Sequence, residues 1–269
     1  MLPIDSSPIS RNGKILILAY DHGLEHGPID FTDLPQTIDP QSIFDLACHE
    51  AVTALAVQKG IAEAYFPSYK DDVTLLAKIN GTSNLWVGEP NSSVNWSVDY
   101  AVEIGASAIG FTLYGGSNHE VEMAEEFRLA QEQARSHGIP VVMWSYPRGQ
   151  GINEKFNGND TDDEVIAYAS RLALELGADV AKIKYPGSEA AMRWAVKAAG
   201  PVKVVLSGGS KVDDLTFLSS VQTVMDAGGS GLAVGRNVWQ RENANEMLEA
   251  LGRIVHGGEP AEDAISSLT

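Results

Sequence analysis

The stretch GADVAKIKYPG, residues 177–187, sets two signals against each other. Its centre, 180–184, reads as a short buried strand that follows a glycine ending a helix, yet it carries Lys182 and Lys184. Lysine is almost never buried without a partner or a task. Residues i and i+2 of a strand share a face, so Val180, Lys182 and Lys184 point one way and Ala181 and Ile183 the other. Small apolar residues on one face suit packing under helices. Amines on the other face suit the polar mouth of a closed sheet.

Seven further apolar runs flank this one. They are KILILAY (14–20), ALAVQ (54–58), LWVG (85–88), AIGF (108–111), VVMWSY (141–146), KVVLS (203–207) and GLAVG (231–235). Between most of them lie amphipathic segments of helical period, among them 120–137, 161–176, 188–199 and 213–227. Two of these helices stop at glycine, in HGIP (137–140) and LGAD (176–179). Eight strands alternating with helices over 269 residues predict an α/β chain folded as one (β/α)8 TIM barrel spanning residues 1–269. An open doubly wound sheet is the alternative, but the first strand runs into DHGLEHGP, which has no G-x-G-x-x-G fingerprint. The segment up to Asn12 is expected to be a loop or a cap over the bottom of the barrel.

Composition narrows the function classes. Hydrophobic residues make up 44% and charged residues 20% of the chain, as expected for a globular protein with a large core. No apolar run approaches the roughly 20 residues of a membrane span. The opening MLPIDSSPIS lacks the basic and apolar regions of a secretory signal. Cys48 is the only cysteine, so no intrachain disulfide forms, and a cytoplasmic location is the expectation. A net charge of −17 argues against nucleic acid and anionic membranes as partners. The same excess of carboxylates suits a salt-rich cytoplasm, where repulsion is screened.

Barrel sites lie at the C-terminal ends of the strands. That rule gathers Asp21 after strand one, Trp144 and Tyr146 on strand five, Lys182 and Lys184 on strand six, Ser207 after strand seven and Arg236 after strand eight. Alternation turns Ile17, Ala19 and Asp21 inward, and likewise Val142, Trp144 and Tyr146. Desolvation or a nearby second cation frees a lysine amine at neutral pH, and the amine can then form a Schiff base that serves as an electron sink. Both lysines could equally be ion-paired, for example with Asp21, and the chemistry does not choose between them. Trp144 fits a wall that excludes water. SGGS (207–210) and GRN (235–237) follow the last two strands, where such barrels often bind phosphate; Ser207, Gly208, Gly209, Gly235 and Arg236 are the candidates. His22 and His26, spaced i, i+4, could ligate a metal on a helix. Gly23, Gly27 and Pro28 instead make DHGLEHGP read as a loop, with His26 packing or hydrogen-bonding toward Asp21 or substrate, and no metal is expected.

Five stretches, LAYDHGLEHGPIDF (18–31), WSYPRG (144–149), GADVAKIKYPG (177–187), LSGGSK (206–211) and AVGRNVWQR (233–241), together resemble the archaeal-type class I fructose-1,6-bisphosphate aldolases, the family of the DhnA-like aldolases. The matches run in order across nearly the whole chain. The resemblance implies a metal-independent barrel without a cofactor, acting on a sugar phosphate in glycolysis or gluconeogenesis and assembled as a homo-oligomer, often a decamer. The pattern A-D-x-x-K places the Schiff-base lysine on Lys182 and leaves Lys184 as its like-charge helper. Tyr146 becomes the proton-transfer residue and Asp21 its partner at the substrate. The glycine loops become phosphate sites, and Arg148 or Lys184 contributes to a second one. YPG at 185–187 departs from the usual YTG. The similar 2-amino-3,7-dideoxy-D-threo-hept-6-ulosonate synthases share the lysine and phosphate logic, but KIKY and EHGP favour the bisphosphate aldolase. A non-catalytic sugar-phosphate-binding barrel is the alternative from another class.

Overall fold

The computed structural model describes residues 5–268. Eight parallel strands close into a barrel in chain order. They are β1 (Ile15–Tyr20), β2 (Ala54–Val57), β3 (Leu75–Lys78), β4 (Ala108–Leu113), β5 (Val141–Ser145), β6 (Val180–Ile183), β7 (Lys203–Ser207) and β8 (Gly231–Val234). Strand alternation sorts the core into two layers. Leu16, Leu18, Ala181 and Ile183 belong to the outer cluster beneath the helices. Ile15, Ile17, Ala19, Val142, Trp144, Tyr146 and Val180 belong to the inner one, the inward faces expected from the sequence. Ile9 is fully buried in that inner cluster, so the turn Ser7–Ile9 caps the barrel interior, while residues 1–4 of the expected cap lie outside the described residues.

Helices fall where the apolar period places them. Glu120–His137 matches its predicted bounds, and Gly138 ends it in the left-handed conformation at φ +72°. Asp163–Leu176 starts two residues later than expected because Asp162 caps it, accepting from the Glu164 amide, and Gly177 ends it at φ +86°. Glu189–Ala198 and Asp214–Asp226 are capped in the same manner by Ser188 and Asp213.

Two expectations are overturned. LWVG is not strand three: Leu85 and Val87 are 86% and 91% exposed. The strand is LLAK, in register with β2 at Leu55↔Leu75 and with β4 at Leu76↔Ala108. Both runs are short and apolar, and period cannot separate them. DHGLEHGP is not wholly a loop either, because His22–Glu25 form one helical turn directly after β1. Among the described residues no helix is long and apolar enough to cross a membrane.

Closure between β8 and β1 depends on a glycine. Gly231 pairs with Ile15 and sits at φ +137°; a Cβ there would fall 1.8 Å from the Ile15 carbonyl oxygen. Gly231→Ala is therefore expected to destabilise the protein by at least about 3 kcal/mol. Thermal unfolding followed by circular dichroism checks this, and an unchanged midpoint would contradict the tight seam.

Candidate active site

A cavity of about 920 Å³ opens at the C-terminal mouth of the barrel. Lys182 projects into it from β6 and is only 5% exposed. Its partner across the β5–β6 ladder is Trp144, and Lys182 Nζ lies 4.5 Å from that indole centroid. The indole fits because the neighbouring strand β4 carries Gly110, where a Cβ would approach the ring to 2.5 Å. Asp21 follows β1, buried, with Oδ2 free of any hydrogen bond. The Tyr146 hydroxyl shares a 2.8 Å hydrogen bond with Ser207 Oγ, tying the ends of β5 and β7 together.

Burial dominates the electrostatics. It pushes the Lys182 amine below the ordinary lysine range; Asp21 and Glu25 pull the other way, and Arg236 adds to the downward push. Burial also works to raise Asp21, but Lys182, His22 and Lys78 outweigh it and hold the carboxyl ionised below its ordinary range. Glu25 ends on the other side: burial raises it, and Lys78 relieves only part of the cost. His22 is driven down to about 4 by burial, so its ring is neutral at pH 7. Burial lifts the Tyr146 phenol well above its ordinary value despite the bond to Ser207, which keeps the proton on oxygen. Carboxyls pushed apart in this way take different roles in proton transfer.

The loops after β7 and β8 are built as one unit. Asn237, fully buried, donates from Nδ2 to Gly208 O at 2.6 Å and Ser210 O at 2.8 Å, and its Oδ1 accepts from the Val212 amide at 3.0 Å. Gly208 packs so closely on Val234 that a Cβ would stand 2.7 Å away, and a Cβ on Gly235 would meet His22 at 2.3 Å. Gly209 turns the chain at φ +64°. Arg236 reaches to within 3.9 Å of Asp30, whose carboxylate also binds His26 Nδ1 at 2.6 Å. Arg236 Nε is buried and makes no hydrogen bond. Glycine turns that let backbone approach closely, beside a guanidinium, are the chemistry that an anion site uses.

A model of the DeoC/LacD family of aldolases matches residues 15–241. The chain belongs to that family. It is 63% identical over 268 residues to the class 1 fructose-bisphosphate aldolase of Halobacterium salinarum, covering 100% of both chains. It is 48% identical over 250 residues to the same-named protein of Thermoproteus tenax, covering 93% of this chain and 92% of that one. Among solved structures, an archaeal fructose-1,6-bisphosphate aldolase whose catalytic lysine is covalently bound to the carbinolamine intermediate superposes with a TM-score of 0.88 at 46% identity, covering 93% of this chain and 97% of that one.

Every residue proposed for the site from the sequence borders this cavity of the aldolase, Arg148, Lys184 and His26 included. One role is corrected. Lys184 lies just past the end of β6, where strand alternation no longer holds, and its amine turns away to an ion pair with Asp160. The cation that presses on Lys182 is Arg236, so Lys184 is not the like-charge helper. Arg148 Nε stands 3.8 Å from the same Asp160 carboxylate. His22 and His26 do not converge on a metal: their rings meet edge to face at 5.2 Å, His22 rests on Trp239, and His26 is held by Asp30.

Four residues of the site were missed from the sequence: Glu25, Lys78, Asn80 and Asn237. Lys78 closes an apolar run as Lys182 does, so the same signal marked it, but the misplaced third strand hid it. The amides of Asn80 and Asn237 act on distant backbone, for which the sequence carries no local sign.

His22 generates a pH prediction. Its folded value of about 4 lies below the ordinary 6.5, so below pH 6.5 the unfolded chain takes up a proton that the folded chain refuses. Stability is expected to fall as pH drops from 6.5 to 4, by up to about 3 kcal/mol from this residue. His22→Gln flattens that loss in denaturant titrations, and an NMR titration of the wild-type ring near 6.5 would contradict its burial.

Proposed function

We propose that this aldolase reversibly cleaves fructose 1,6-bisphosphate to dihydroxyacetone phosphate and glyceraldehyde 3-phosphate through a Schiff base on Lys182. The observation that carries the proposal is a desolvated lysine on β6, over Trp144 and at the mouth of the barrel, in a chain matched end to end by a relative of that name. The unprotonated amine attacks the C2 carbonyl and forms a carbinolamine. Tyr146, which keeps its proton, supplies it as the carbinolamine loses water, leaving an iminium. The C3–C4 bond then breaks, its electron pair moves into the enamine, and the C4 hydroxyl passes its proton to the Tyr146 phenolate as glyceraldehyde 3-phosphate departs. Asp21, ionised and with a free oxygen, suits hydrogen bonding to that hydroxyl. Tyr146 returns a proton to C3, and water releases dihydroxyacetone phosphate from Lys182. The iminium itself takes up the electrons, so this route draws on neither metal nor cofactor.

The Ser207–Gly209 and Gly235–Arg236 loops fit the phosphate nearest C1. Arg148 and Lys184, aligned by Asp160, fit the second phosphate. The proposal extends to one domain over residues 1–269 and a cytoplasmic enzyme of glycolysis or gluconeogenesis. It also includes a homo-oligomeric assembly and an acidic surface adapted to high salt. Exposed Ile29, Leu85, Trp86 and Val87 support the assembly.

Borohydride reduction with dihydroxyacetone phosphate, followed by mass spectrometry of the peptides, is expected to place the adduct on Lys182, and Lys182→Ala to abolish it. Lys184→Ala should still be trapped while KM for the bisphosphate rises about tenfold. An adduct elsewhere, or no cleavage of fructose 1,6-bisphosphate beside turnover of a heptulosonate precursor, would overturn the assignment.

A further inference from the structure

Lys78 is fully buried at the end of β3. Leu76 lies in the inner cluster, so alternation turns Lys78 inward as well. Its amine donates to the Asn80 backbone carbonyl, and to Asn80 Oδ1 at 3.0 Å. Asn80 is itself locked, donating to Ser92 O at 2.9 Å and Thr112 O at 2.8 Å and accepting from the Thr112 amide at 2.7 Å. From this fixed seat Lys78 Nζ reaches Glu25 Oε1 at 3.3 Å and lies 5.7 Å from the Trp144 ring, the indole that also carries Lys182. A side chain without exposed surface cannot bind substrate, so its charge acts through neighbours.

Those neighbours are two carboxyls. Asp21 after β1 and Glu25 on the following helical turn both attract Lys182; Arg236 after β8 opposes them, and His22 is neutral. Tyr114 and Tyr146 complete the ring of titratable groups facing Glu25. Without another cation, Glu25 would recruit Lys182 as its counter-ion and hold it as an ammonium, which is no nucleophile. We propose that Lys78 is a positioning residue that occupies Glu25 in a permanent ion pair, so that the amine of Lys182 is left free to attack. The inference rests on Lys182 being the Schiff-base lysine.

The test is the pH dependence of borohydride trapping with dihydroxyacetone phosphate. In Lys78→Met, Glu25 and Lys182 hold their shared proton to higher pH, so the acidic limb should move up by about one unit or more, roughly a tenfold loss of trapping at a pH on that limb. Glu25→Gln should move it down, and the double variant should return close to wild type. Glu25 borders the cavity, so its single variant keeps the test alive if Lys78→Met does not fold. Loss of trapping by the same factor at every pH, or a limb unmoved by Glu25→Gln, overturns the inference and leaves the Schiff base standing. Absence of any adduct in the wild type overturns the Schiff base itself, and the inference with it.

Discussion

A primary amine buried at the mouth of the barrel is the condition on which the rest of this aldolase depends. Desolvating an ammonium is costly, and the cost falls on whichever protonation state carries the charge. The barrel imposes that cost on Lys182 by closing β5 and β6 around it and laying Trp144 over its amine. The indole in turn needs the space that Gly110 leaves on β4. Sheet closure, a glycine and an aromatic wall thus cooperate in one chemical result, a lysine biased toward its neutral form.

Free-amine chemistry needs acids nearby, and acids hold amines as cations. The site resolves this conflict by matching charges. Asp21 is kept ionised by the cations around it, while Glu25, raised above its ordinary range by burial, is paired with Lys78. The phenol of Tyr146 keeps its proton. Neighbouring groups therefore differ in protonation at one pH, and proton transfer in both directions requires that difference. In a chain of net charge −17, Arg236 and the loops pinned by Asn237 are where the proposal places a local site for phosphate.

Legibility followed the range of the forces involved. Strand alternation and glycine stops are local, and they placed seven of the eight strands and the long helices near their observed bounds. The third strand failed because two short apolar runs looked alike, and only pairing with Leu55 and Ala108 distinguishes LLAK from LWVG. Lys184 borders the cavity as expected, but the strand pattern carried no sign that Asp160, from a distant segment, would pair with its amine.

The sequence by itself determined the barrel and the inward residues at its strand ends, because periodicity is written along the chain, and the family resemblance singled out Lys182 as the candidate nucleophile. Only the tertiary structure decided which charges meet: Lys78 with Glu25, Lys184 with Asp160, and Arg236 with Asp30 beside the pocket. Coulomb energy and desolvation depend on distance through space and on what excludes water. Neither quantity exists until the eight strands have closed.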